Sequence, residues 1–151
     1  MLFGSWLFAA IAIVPLVAAT TERIVTDYHT GFAISGFDPV GYFTQAKPIM
    51  GQPEYEVFYG GATWRFANAG NRAAFIAHPE VYMPVFGGYD PTGVARGIAV
   101  PGHPDVWLIA RERLYLFHTQ QSRDAFVADA DKYLANAQWQ WFEIINDLVD
   151  K

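Results

Sequence analysis

In this 151-residue chain the side chains best placed to do chemistry are four histidines, His29, His78, His103 and His118, and the aspartates of two matching segments. Residues 36–41 read Gly-Phe-Asp-Pro-Val-Gly and residues 88–93 read Gly-Tyr-Asp-Pro-Thr-Gly, so Asp38 and Asp90 recur at an offset of 52. Imidazole nitrogen and carboxylate oxygen together suit Cu(II), Ni(II) or Zn(II), which makes His118, Asp90 and His103 the candidate metal ligands. The same Asp and His types could also exchange protons with a substrate, so a small enzyme with an Asp/His pocket stands as a further alternative. Against both stands a purely conformational use: an aspartate before proline fixes a turn through its own backbone amides.

Several chemistries are excluded outright. The histidines lack His-x-x-x-His and His-Glu-x-x-His spacing, which rules out a metalloprotease of that type. There is no cysteine, hence no disulfide, thiolate zinc site, iron–sulfur cluster, Cys-attached haem or thiol nucleophile. No Gly-x-Ser-x-Gly elbow occurs, and Gly87, Gly88, Gly93 and Gly97 match neither the dinucleotide fingerprint nor the P-loop. Ten basic against fifteen acidic residues give a net charge of −5, without the basic run that dominates affinity for nucleic acid. A protein or small molecule remains as the partner. Five Trp, eight Tyr and twelve Phe could fill the core or line a pocket. If the two Asp-Pro turns face each other, that pocket is lined by Asp38, Tyr42, Trp64, Tyr89 and Trp107.

The elements that must carry these residues are legible from a second internal match. Trp64-Arg65-Phe66, Arg72, Ala74, Phe75, Ala77 and Tyr82 align with Tyr115-Leu116-Phe117, Arg123, Ala125, Phe126, Ala128 and Tyr133 at an offset of 51. Two ordered matches at nearly one offset indicate a duplicated unit, over about 36–82 and 88–133. Alternating residues 55–59 and 62–66 around Gly60-Gly61 predict a hairpin. Asn68 then caps a helix that Pro79 stops. The second unit predicts strands over 106–110 and 114–117, a turn near Arg111 and Glu112, and a helix capped by Thr119. His103, within Pro101-Gly102-His103-Pro104, is expected in an exposed turn. Leu134, Ala137, Trp141, Ile144, Ile145 and Leu148 form one face of an amphipathic closing helix. Trp139 and Phe142 lie off that face, so the helix is expected to cover both hairpins or to meet another subunit. With 52% hydrophobic residues, residues 31–151 form one packed α+β domain of two hairpin-plus-helix units and a long C-terminal helix.

Residues 1–19 carry no charge and end in Val17-Ala18-Ala19. Such a segment reads as a signal peptide cleaved after Ala19, or as an uncleaved membrane anchor. Residues 20–30 form a polar lead-in. The expected location is periplasmic or secreted, or tethered to the inner membrane, with membrane contact through this segment only.

Asp38-Pro39-Val40, Tyr59-x-Gly61, Trp64-x-Phe66, Phe75, Pro79-Glu80 and Tyr82 resemble the YHS domain, a small hairpin-plus-helix module akin to treble-clef metal modules. Better-known members are associated with copper-transporting ATPases and metal-dependent oxygenases. The longer pattern, with Gly87-Gly88-Tyr89, residues 114–117 and Tyr133, resembles secreted bacterial YHS-domain proteins over about residues 31–141. The family's cysteine positions fall at Gly41, Ala67 and Asn71 in the first unit, and at Gly93, His118 and Ser122 in the second. Asp90 stands where the secreted subgroup often carries a further cysteine. The resemblance therefore implies an exported, non-catalytic binding or accessory module that has lost its thiolate site. Its first alternative is a periplasmic, copper-type metal-binding protein using His118, Asp90 and His103.

Overall fold

The structure is a computed structural model that describes residues 22–148; the apolar segment 1–19 lies outside them. Among the described residues the fold is α+β, with two antiparallel hairpins, six α-helices and two short 3-10 turns. The first half runs through a 3-10 turn Ile34–Gly36, α1 (Gly41–Thr44), β1 (Gln52–Tyr59), β2 (Ala62–Phe66), α2 (Ala69–Ala77) and α3 (Pro79–Tyr82). The second runs through a 3-10 turn Val85–Gly88, α4 (Pro91–Val94), β3 (His103–Ala110), β4 (Arg113–Phe117), α5 (Gln120–Ala128) and α6 (Ala130–Asp147).

Both first strands begin earlier than residue alternation indicates, because each carries an irregularity that breaks the period of two. The β1/β2 register shifts between Gln52 and Glu56, and the β3/β4 register between His103 and Trp107. Pro53 and Pro104 sit inside these shifts, where a missing N–H is tolerated. His103 is accordingly a strand residue opposite Phe117, with its side chain exposed, and not part of a turn.

The hairpin turns differ in cost. Both need left-handed backbone at two consecutive positions. Gly60 and Gly61 take φ of 61° and 86°, whereas Arg111 and Glu112 hold 53° and 60° in spite of their β-carbons.

Each hairpin folds onto its helix through one phenylalanine. Phe75 of α2 stands 5.2 Å from Trp64 and 5.1 Å from Phe66 between ring centroids. Phe126 of α5 stands 5.2 Å from Tyr115 and 5.3 Å from Phe117. Both are fully buried, contributing about 2–3 kcal/mol each from apolar area. The helix starts are fixed as composition indicates: Asn68 accepts from the Asn71 amide, and Thr119 and Ser122 cap each other reciprocally.

The closing helix starts at Ala130, because Asp129 ends α5 and its side chain accepts from the Lys132 amide. Leu134, Ala137, Ile144 and Leu148 join the second-half core with Phe86, Tyr89 and Val94. The helix lies mainly against α4 and α5 rather than over both hairpins. Trp139 and Phe142 stay exposed, at 73% and 70%. No helix among the described residues is long and apolar enough to cross a membrane.

The described part of the lead-in is built into the body. Val25 N–H donates to Gly87 O, and Ile34 N–H donates to Val25 O; Thr26 bridges Ala33. Ile24 is buried. The approach is so close that a β-carbon at Gly87 would stand 1.9 Å from Arg23 O, which only glycine accommodates.

Candidate functional site

The two aspartates of the matching segments hold the same place in each half. Asp38 is wholly buried and Asp90 is 2% exposed. Asp38 Oδ1 accepts from the Val40 and Gly41 amides, at 2.8 and 3.2 Å. Its Oδ2 accepts from the Ala67 amide at 2.8 Å and from Asn71 Nδ2 at 2.6 Å. Asp90 Oδ1 accepts from Thr92 N–H and from Thr92 Oγ1, both at 2.8 Å. Its Oδ2 accepts from the His118 amide at 2.8 Å and from Ser122 Oγ at 2.5 Å. Each carboxylate thus ties an Asp-Pro turn to the junction between the hairpin's second strand and the following helix.

A carboxylate offers about four lone-pair sites, and here four donors fill them. Two hydrogen-bonded oxygens with no lone pair to spare make each aspartate a buried clasp, poorly placed to take a proton or a metal ion. His118 meets Asp90 through its backbone amide rather than its ring. The ring's Nδ1 lies 3.0 Å from Pro101 O; since a carbonyl only accepts, Nδ1 carries the proton and Nε2 is the ring nitrogen left over. His103 Nδ1 accepts from the Asp105 amide at 3.2 Å and stands 3.7 Å from its carboxylate. Among the described residues no group of three or more His, Asp or Glu is arranged to hold a metal ion.

The five residues expected around one aromatic pocket do not share one: Tyr42 and Trp64, with Trp107 packed against them, belong to the first core cluster and Tyr89 to the second. Asp38, Tyr42 and Trp64 are buried in the first half and Tyr89 in the second. Trp64 Nε1 donates to Tyr59 O at 3.0 Å, and Tyr89 OH donates to Glu22 O. Tyr42 and Trp107 meet edge to face at 5.3 Å, on the wall of an open cavity of about 640 Å³ shared with Phe43, Asp105 and Arg123. Tyr42 OH donates to Pro104 O at 2.9 Å, and burial pushes its phenol well above the ordinary range. That residue fastens the first half to the second.

Another, smaller cavity lies in the second half. It encloses about 390 Å³ over Asp90 and is lined by Thr92, Arg96, His118, Ser122 and Tyr133 among others. Composition singles out His118 and Asp90 but not Arg96 or Tyr133. The signal lies in the two matching segments: Arg96 stands opposite Thr44, His118 opposite Ala67, Ser122 opposite Asn71 and Ala95 opposite Phe43. In the first half Phe43 stands edge-on to Tyr82 at 5.4 Å, and Asn71, Asp38 and Gly41 are buried. In the second, Ala95 cannot supply that ring beside Tyr133, and His118 and Arg96 are exposed.

Comparison with known proteins found no matching family model, no matching curated protein and no matching solved structure.

Proposed function

We propose that this protein is an exported, non-catalytic binding module of YHS ancestry, formed by duplication, in which the first copy is structural and the second holds the ligand. One observation carries this reading. The two Asp clasps are built alike, yet only the second carries cationic and imidazole side chains, around an open cavity of about 390 Å³, within the size range of small-molecule sites. The positions that the YHS resemblance assigns to lost cysteines support the ancestry. Gly41, Ala67 and Asn71 all donate to Asp38, and His118 and Ser122 to Asp90. The uncharged segment 1–19 supports export. The saturated coordination of both carboxylates supports binding over acid–base turnover.

The test is a ligand screen read by amide chemical shifts. A bound small molecule moves the signals of His118, Ser122 and Ala125, and Ala95→Phe, which restores the first-half ring, abolishes the effect in a folded protein. Binding of Cu(II), Ni(II) or Zn(II) tighter than about 10 μM that His118→Ala removes would replace this reading by metal handling. Turnover lost in folded His118→Ala would replace it by an enzyme.

A further inference from the structure

The lining of the second-half cavity also limits what can occupy it. Arg96 is exposed on its wall, and among the described residues no carboxylate stands within ion-pair distance of its guanidinium. Three other arginines of the two units are engaged: Arg65 pairs with Glu56 at 2.7 Å, and Arg72 and Arg123 donate to the Glu56 and Trp107 carbonyls, at 2.9 and 2.8 Å. A planar guanidinium with its fork unoccupied is matched to a carboxylate or phosphate. The floor decides between them. The Asp90 carboxylate, whose two oxygens accept four hydrogen bonds, lies beneath the cavity, and each further negative charge on a ligand adds repulsion from it. A single negative charge fits one guanidinium above one buried carboxylate. Beside Arg96, His118 offers Nε2 and Thr119 a hydroxyl, while Val100, Ala125 and the Tyr133 ring supply apolar wall.

We infer that the cavity formed by Arg96, His118 and Tyr133 over Asp90 binds a small organic monocarboxylate, with Arg96 gripping the carboxylate. The inference rests on the binding-module reading above and names its ligand class. The start of α5 lies at the rim and adds partial positive charge, a secondary contribution beside the guanidinium.

Calorimetric titration of the purified protein with lactate, lactamide and inorganic phosphate tests it. Lactate binds tighter than about 1 mM, phosphate at least fivefold more weakly, and neutral lactamide not measurably. Arg96→Gln weakens lactate at least tenfold, Arg96→Lys less, and Arg113→Gln, which removes a positive charge outside the cavity, leaves it unchanged. Because Arg96 is exposed and has no ion-pair partner among the described residues, its variants melt with the parent protein, so loss of binding is not loss of fold. Equal affinity for lactamide, tighter binding of phosphate, absence of lactate binding, or equal effects of Arg96→Gln and Arg113→Gln each overturn the inference. If a neutral or cationic molecule from the amide-shift screen still occupies the cavity, the binding-module reading survives; if nothing does, both fall.

Discussion

The first and second halves place the same elements in the same order, yet they spend their buried carboxylates differently. Around Asp38 all four donors are backbone amides or an amide side chain in a closed, buried setting. Around Asp90 two of the four are hydroxyls, and the clasp lies under an open cavity. The two halves keep the same aspartate clasp while the side chains around it differ. The constraint resides in the aspartate and the two chain segments it joins, and the residues above it can change.

The comparison can be broken first at the cores, where the halves should behave alike. Phe75→Ala and Phe126→Ala each remove a fully buried ring packed against strand aromatics, three for Phe75 and two for Phe126. Each is expected to lower unfolding free energy by about 3–5 kcal/mol, measured by urea denaturation. A large inequality would mean that one half is dispensable to the cooperative unit. The clasps should then separate the halves. Asp38→Ala strands buried donors that water cannot reach and is expected to cost about 4 kcal/mol, whereas Asp90→Ala strands donors under an open cavity and is expected to cost about 2 kcal/mol. The reverse order would sink the distinction between a closed and an open clasp.

Smaller effects sharpen the asymmetry. Tyr42 has Val94 as its second-half counterpart, so a single buried phenol bonds across to Pro104. Burial raises its pKa above the ordinary 10.0, with the charges of Asp105 and Asp38 adding to the effect. The folded state therefore keeps a proton that the unfolded chain releases. Stability from this group is complete below about pH 10 and declines as pH rises beyond it. Tyr42→Phe is expected to cost about 1 kcal/mol at neutral pH and to flatten that alkaline decline in a pH series of melts. Smallest of all, Glu112→Gly makes the second hairpin turn resemble the first. With φ of 60° at that position, relief of left-handed strain should outweigh the added chain entropy and stabilise by about 0.5 kcal/mol, read as a rise in Tm.

The fold was legible in the sequence wherever one residue type has one physical use. Asn68 and Thr119 announced helix starts, Gly60-Gly61 announced a hairpin, and the repeated Asp-Pro segments announced equivalent turns. The strand starts at Gln52 and His103 were not legible, because a bulge cancels the alternation that marks a strand. The site was only half legible. His118 and Asp90 drew attention by chemistry, but the expected aromatic pocket dissolved because Trp64 and Tyr89 satisfy their polar atoms inside the core. Arg96 carried no signal of its own; it shows only against Thr44, once the two halves are laid side by side.

The joint between Val25 and Gly87 bears on how the chain is made. A ribosome delivers the lead-in early, but the Gly87 carbonyl that accepts from Val25 is synthesised only after the first hairpin and helix. The lead-in can pair early with residues 32–34 through the Val25 carbonyl and the Asp27 amide, but the Val25 amide waits for its acceptor until residue 87 has been added.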